Sequence, residues 1–355
     1  MNIPFFDLKR QNLYLKNELD EVYQRVLESG QFILGDQVAL FEKQFSEYLG
    51  VGYCIGCGNG TDALEILLQA LELGQGDEVL VPSFGWVSPY LAVRQVGATP
   101  VLVDVDPITG NMCPESLRSL VTAKSEAVIP IHLYGIPCDI VEIQSICSDH
   151  RLALIEDCAQ AHGAKVGNTH CGAFGHAAIF SFYPTKNLGA LGDAGAIVTD
   201  DGILADKIRS ITNYGKVKGK LVNQGRNSRM DEIQAGILVA KLPYLTEWNL
   251  KRKAIAKRYA EASGSDEYGH DYSVYHQFVL RVRERSVFRD KLLDAGIETF
   301  IHYPFTINST YGTTRFENAE MLAEQVVSLP VFPELTEEEI AYICDQLKHL
   351  RKFIL

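Results

Sequence analysis

Residues Ser181 to Ala196 read SFYPTKNLGALGDAGA, and this stretch decides the fold. A short apolar run, Ala178–Phe182, breaks at Pro184 and is followed by Lys186. Then come Gly189, Gly192 and Gly195, which keep the backbone free of side chains before a second β-branched run, Ala196–Thr199. A lysine between an apolar strand and a glycine-rich turn is poised to lose part of its hydration, which lowers its pKa toward a usable nucleophile or base. A solvated loop lysine is the plainer alternative. The tightly constrained loop and the further hydrogen-bonding groups of Ser181 and Asn187 weigh against it.

The same texture extends toward the N-terminus. Apolar runs recur at Val79–Val81, Val101–Val105, Ala127–His132 and Leu152–Ile155. Helical periodicity lies between or beside them, at Asp62–Leu73, Trp86–Val96, Ile140–Ser148 and Leu204–Ile211. Strands alternating with helices predict an α/β fold whose mostly parallel sheet is covered on both faces. An apolar helix, Met230–Leu242, and a basic one near Leu250–Ala262 then lead into the polar stretch 263–273. The texture changes around residue 250, and the expected boundary falls at that change: a large domain over 1–250, opened by an N-terminal segment 1–30, and a small C-terminal α/β domain over 251–355. The small domain holds a strand at 274–282, a helix near Val287–Ala295, and a last helix opened by Thr336 with Glu339 in a capping box. Ile340, Ile343, Cys344, Leu347 and Leu350 form one stripe of that helix, so Cys344 is expected in the core.

With 355 residues, the chain has room for two or three domains. Its composition, 46% hydrophobic and 22% charged, is that of a folded globular protein. Lys plus Arg number 33 against 45 Asp plus Glu, a net charge of −12 that repels nucleic acid and anionic membrane, so an anionic ligand must be met by locally placed donors. The start lacks a signal-peptide layout and no run is long enough to span a membrane, which predicts a cytoplasmic protein. The 8 cysteines are irregularly spaced and expected to be reduced. Cys54 and Cys57 form a C-x-x-C with no second pair, and His162, His170, Cys171 and His176 have no ligand spacing, so structural roles and no metal are expected.

Three further segments carry chemistry. In GCGNGTDALEI, Gly56 to Ile66, a glycine turn opens a helix. Unpaired N–H groups around Gly60 and Thr61 suit a phosphate there, with a plain tight turn as the alternative. In IEDCAQAHGA, Ile155 to Ala164, a strand ends in Glu156 and Asp157, at the strand edge where α/β folds gather ligands, with Gln160 and His162 close behind. A capped surface loop is the alternative. In GRNSRMDEIQAGIL, Gly225 to Leu238, Ser228 and Asp231 have capping-box spacing, which leaves the donors Arg226, Asn227 and Arg229 unexplained.

Taken in order, GNGTDAL, EDCAQAHGA, SFYPTKNLGALGDAGA, GRNSRMDEIQAGIL and IHYP resemble the successive motifs of the DegT-type (DegT/DnrJ/StrS) sugar aminotransferases, which are fold-type I pyridoxal-phosphate enzymes. The resemblance runs from FFDLKRQN at residues 5–12 to the final helix. It implies that Lys186 condenses with the aldehyde of pyridoxal 5'-phosphate and shuttles the substrate proton. It also implies that Asp157 pairs with the pyridinium nitrogen, Gln160 lies near the phenolic oxygen, and Trp86 covers the ring, core packing being Trp86's alternative. Phosphate contacts fall to Gly60, Thr61 and Ser181, with Asn227 reaching across from the second subunit of a homodimer; Asp62 is expected to turn aside. Tyr183, His302, Arg226 and Arg229 are candidates to touch the sugar or the amino donor, and Lys216, Lys218 and Lys220 add positive charge for a diphosphate.

Two departures stand out. Arg226 occupies a position where the family usually has an aromatic or similar residue, and FTINSTYG follows IHYP where a His-rich continuation is usual. The implied activity is transamination of a keto group on a nucleotide-linked, dTDP-borne 6-deoxyhexose at carbon 3, with L-glutamate as donor. That places the protein in deoxysugar biosynthesis for lipopolysaccharide or another glycan. Amination at carbon 4, a dehydratase with the same cofactor and a non-catalytic ligand sensor are the rivals. Lys186 counts against the second, and the pairing of Lys186 with Asp157 against the third.

Overall fold

A computed structural model describes residues 1–264, 272–312 and 314–355. The polar stretch 263–273 therefore lies mostly outside the described residues. The principal sheet has the strand order β3-β2-β4-β5-β8-β9-β1. Its members are β1 (Tyr53–Cys57), β2 (Glu78–Pro82), β3 (Thr99–Val103), β4 (Ser125–Val128), β5 (Ala153–Asp157), β8 (Ala177–Ser181) and β9 (Gly195–Thr199). Only β9 runs against its neighbours, so the sheet is mixed but mostly parallel. Short ladders β6 (Lys165–Val166)/β7 (Thr169–His170) and β10 (Lys216–Val217)/β11 (Lys220–Leu221) project from it as hairpins.

Helices α1 (Leu8–Tyr14), α2 (Lys16–Ser29) and α3 (Asp36–Leu49) precede the sheet, α4 (Gly60–Ala70), α5 (Ser88–Gln95), α6 (Pro114–Leu120) and α7 (Ile140–His150) connect its strands, and α8 (Gly202–Thr212) follows the last of them. Helix α4 buries Ala63, Leu64, Ile66, Leu67 and Leu68 with Val79, Val81 and Ile197 of the sheet. On the opposite face Phe41 and Phe45 of α3 pack with Phe180 and Phe182. Two hydrophobic faces on one sheet explain why its central strands read as unbroken apolar runs.

Helix α9 (Glu232–Lys241) leads to α10 (Leu245–Ser263), which passes residue 250 without a break. Leu245 at its start joins the core of the large sheet, and Ile255, Ala256, Tyr259 and Ala262 enter a second core. That second core is completed by the antiparallel pair β12 (Phe278–Arg281)/β13 (Val326–Leu329), by α11 (Arg285–Asp294) and by α14 (Glu337–Leu350); α12 (Ile307–Tyr311) and α13 (Glu317–Gln325) complete the helices. Ile3 docks there too, bridged to Ile297. Thr336 and Glu339 form the expected capping box, and Cys344 is buried on the expected stripe. All eight cysteines are free.

The second expected capping box is corrected. Helix α9 begins at Glu232 with no side-chain cap from Asp231, and the Ser228 hydroxyl accepts instead from the Gly58 N–H at 3.0 Å. A long-range partner thus outbids the local one. Likewise α5 starts at Ser88 and not at Trp86, whose side chain is 53% exposed; core packing is excluded for it.

Candidate active site

The site is assembled at the carboxyl ends of the sheet's parallel strands. Because β9 is antiparallel to both β1 and β8, Cys57 and Ser181 stand opposite the same residue, Gly195, and the carboxyl ends of β1, β5 and β8 open on the same side. A Cβ on Gly195 would lie 2.5 Å from the Asn59 carbonyl, so this glycine lets the turn after β1 cross the sheet end. A Cβ on Gly60 would lie 2.7 Å from the Ser181 Cβ, so the start of α4 sits directly on Ser181.

Asn59 caps α4 by accepting from the Asp62 N–H at 2.8 Å, which leaves the first-turn amides of Gly60 and Thr61 without intrahelical acceptors. The Thr61 hydroxyl meets that of Ser88 at 2.8 Å. Two amides, the hydroxyls of Thr61, Ser88 and Ser181, and the positive end of an eleven-residue helix form an anion cradle. Asn59 and Ser88 were missed from sequence. Asn59 carried an available signal as an N-cap residue, whereas Ser88 is brought in only by the packing of α5 on α4.

Beside the cradle, the Lys186 loop is laced in place. Its N–H donates to Tyr183 O at 2.8 Å, Ala190 N donates to Phe182 O at 2.8 Å, and a Cβ on Gly189 would collide with Pro184 O at 2.3 Å. From behind, the buried Lys241 amine donates to Gly189 O at 3.0 Å. Asn187 donates to Asn249 Oδ1 at 2.8 Å and Val274 O at 3.0 Å and receives His276 at 3.2 Å, tying the loop to the C-terminal half. Burial pushes the Lys186 amine down from 10.5 to about 8, only partly opposed by the Asp157 carboxylate. Burial likewise raises Asp157 above the usual carboxylate value, countered by the Ala159 N–H on its Oδ1 at 3.0 Å and by Lys186. The fold therefore brings the two predicted groups together, each acting on the other's ionisation.

Gln160 is fixed from two sides: Tyr134 N donates to its Oε1 at 2.8 Å, and its Nε2 donates to Tyr303 Oη at 3.1 Å. The Tyr303 ring lies 5.8 Å from the exposed Trp86 indole. Burial pushes the Tyr303 phenol well above its usual value, which keeps it a neutral hydroxyl. Tyr303 was missed, although IHYP was noted; nothing local distinguishes it from its neighbours. His302 holds Ser328 Oγ through Nδ1 at 2.8 Å, and burial and Lys186 push it down to about 4. His162 is fully buried between the Phe180 and Phe182 rings. Neither of its nitrogens has a well-formed partner among the described residues, and burial pushes it down to about 3.

Other predicted residues sit differently. Tyr183 is 53% exposed at the rim, and Asn227 is exposed. Arg226 is taken up by Glu65 and Asp62, while Arg229 donates to Asn213 at 2.9 Å and lies over the Tyr214 ring. Lys216, Lys218 and Lys220 are exposed on the β10/β11 hairpin. Behind Asp157, the buried His132, Glu156 and Cys158 place ligand-type atoms within 4.8 Å of one another. Hydrogen bonds already use Glu156 fully: Gly172 N at 2.8 Å, Phe174 N at 2.8 Å, Gly175 N at 2.9 Å and His132 Nε2 at 3.0 Å.

A fully glycine-backed cradle over Ser181, a buried lysine of low pKa and a buried carboxylate fit a phosphorylated aldehyde whose ring bears a basic nitrogen. The fold and site define a pyridoxal-phosphate-dependent aminotransferase. A sequence model of the DegT/DnrJ/EryC1/StrS aminotransferase family matches residues 14–348, and the chain belongs to that family. It is 43% identical to the dTDP-3-amino-3,6-dideoxy-alpha-D-galactopyranose transaminase of Aneurinibacillus thermoaerophilus, over 97% of this chain and 98% of that one. It is 40% identical to the UDP-N-acetyl-3-dehydro-alpha-D-glucosamine 3-aminotransferase of Acidithiobacillus ferrooxidans, over 98% and 97%. The crystal structure of Streptomyces venezuelae DesV in complex with a ketimine intermediate superposes with a TM-score of 0.96 at 36% identity, covering 99% of both chains.

Proposed function

We propose that the protein aminates carbon 3 of a nucleotide-linked keto-hexose, with a dTDP-borne 6-deoxy sugar as substrate and L-glutamate as donor. The observation that carries it is the pairing of a low-pKa Lys186 with buried Asp157 beside the α4 cradle. The two curated relatives above both act at carbon 3, one on a dTDP sugar and one on a UDP sugar.

Bound pyridoxal phosphate supplies an electron sink for the carbon that gives up its proton. Lys186, with a pKa of about 8, has a share of free base near neutrality, so its amine could take up that proton and hold it for transfer between substrate and cofactor. Asp157 holds a proton on the ring nitrogen, which keeps the sink cationic. Gln160, oriented by Tyr134 and Tyr303, presents its amide to the phenolic oxygen. Trp86, whose indole is exposed, would supply an aromatic face to the cofactor ring. Gly60, Thr61, Ser88 and Ser181 bind the phosphate, and Asn227 completes the cradle of a second copy in a homodimer. Tyr183 and His302 face the sugar, and the lysines of the β10/β11 hairpin meet the diphosphate that a −12 chain would otherwise repel. Among the described residues no helix is long and apolar enough to cross a membrane. We place the reaction in the cytoplasm.

The test is incubation with glutamate and a panel of dTDP- and UDP-linked 3-keto and 4-keto sugars, with the product identified by mass spectrometry and NMR. A carbon-3 amine on a dTDP sugar is expected. An amine formed only at carbon 4, a deoxygenated product, or a cofactor colour unmoved by glutamate would each replace this activity with one of its rivals.

A further inference from the structure

Helix α4 carries an electrostatic contradiction. Its N-terminus is built to attract a phosphate, yet Asp62 stands in its first turn and Glu65 three residues on, on the same face. One carboxylate in the first turn and one in the second put negative charge beside the positive helix end and repel a phosphate dianion. A family resemblance gives no residue for this problem, and the one position where this chain departs from the family's usual aromatic is Arg226.

The Arg226 guanidinium lies over both acids, with Nη1 on Glu65 Oε2 and Nη2 3.5 Å from Asp62 Oδ1. The two acids are largely covered, at 22% and 15% exposure for Asp62 and Glu65, and Arg226 is 37% exposed, so solvent screens the contact less than between two open side chains but still in part. The backbone beneath is held independently of that contact. Arg226 N donates to Ile211 O at 2.8 Å, Tyr214 N to Arg226 O at 3.0 Å, and Gly58 N to the Ser228 hydroxyl at 3.0 Å. The segment stays seated without the guanidinium, which is therefore free to act through its charge.

We infer that Arg226 is a positioning residue for cofactor affinity: it cancels Asp62 and Glu65, so the phosphate at the α4 N-terminus meets the helix dipole and not two carboxylates. This rests on the pyridoxal-phosphate site proposed above. A residue that only strapped the loop would produce a loss indifferent to salt and to the state of the acids.

The experiment compares wild type, R226M, R226K, D62N/E65Q and R226M/D62N/E65Q, each stripped of cofactor and shown to be folded by circular dichroism melting. Affinity for pyridoxal phosphate is read by absorbance titration and for inorganic phosphate by competition, each at about 0.02 M and about 1 M salt. R226M should bind both about tenfold more weakly at low salt, and the deficit should shrink severalfold at high salt as the screening length contracts to about 3 Å. R226K should keep most of the affinity and the triple variant should regain it. Unphosphorylated pyridoxal should bind R226M and wild type alike. Unchanged affinity in R226M, or a deficit that survives both salt and removal of the acids, overturns the inference and leaves the cofactor assignment standing. A wild-type protein that takes up no pyridoxal phosphate overturns both.

Discussion

Removing the charge at residue 157 tests the site most directly, because it changes the ionisation of a second residue in a stated direction. Burial lowers the Lys186 pKa from 10.5 to about 8 while Asp157 pulls it back up. At pH 7.5 the uncharged share of such an amine rises from about 0.1% to about a quarter, a gain of about 200-fold in reactive base. Asp157→Asn keeps the shape and deletes the counter-charge, so the Lys186 midpoint should move below 8. The assay is stopped-flow mixing of cofactor-free protein with pyridoxal phosphate between pH 6 and about 10.5, followed by the absorbance change as the amine condenses. A blocked lysine in solution, run in parallel, corrects for the cofactor's own ionisation. The wild-type rate should rise with pH and level off above about 8, and the Asn variant should level off earlier. A midpoint near that of free lysine, or one that climbs on removing Asp157, would refute the proposed pairing of burial and counter-charge.

Gly60→Ala drives a Cβ to 2.7 Å from that of Ser181 and should cost about 1–3 kcal/mol, seen as weaker cofactor binding or a lower melting temperature, with partial recovery in Gly60→Ala/Ser181→Gly. Glu156→Gln turns an acceptor of four hydrogen bonds into a group that presents N–H to other N–H groups, and urea unfolding should report a loss of about 3 kcal/mol; a change under about 1 kcal/mol would show that the loop 172–175 is held otherwise. Mixing Lys186→Ala with Asn227→Ala subunits should create hybrid dimers in which half the sites carry both intact residues. Tight cofactor binding restored in the mixture but absent from each parent checks the shared site by titration, and no gain on mixing argues for sites confined to one chain.

Much of this was visible locally. The alternation of apolar runs with helical periods announced the sheet, because a strand buried on both faces leaves a continuous hydrophobic signature in the chain itself. Lys186 and Asp157 could be singled out for a related reason: Asp157 ends a buried strand and Lys186 lies in the turn that follows another, and turn chemistry is written in adjacent residues. The Thr336 cap needed only residues three positions apart. By contrast, Ser228 looked like a local cap and proved to be an acceptor for Gly58. Trp86 looked able to fill a core and proved exposed.

Sequence alone was enough for the class of fold and the glycine-backed helix start, since both depend on short-range period and backbone freedom; the candidate chemical residues came from motifs that resemble a family. Tertiary structure decided which groups stand beside them. The hydroxyl of Ser88 on Thr61, Tyr303 on Gln160, Lys241 beneath the Lys186 loop and Arg226 over Asp62 and Glu65 are joined across 27, 143, 52 and up to 164 positions of chain. Such pairs are selected by strand order and by which faces bury against each other, and no pattern confined to neighbouring residues encodes that choice.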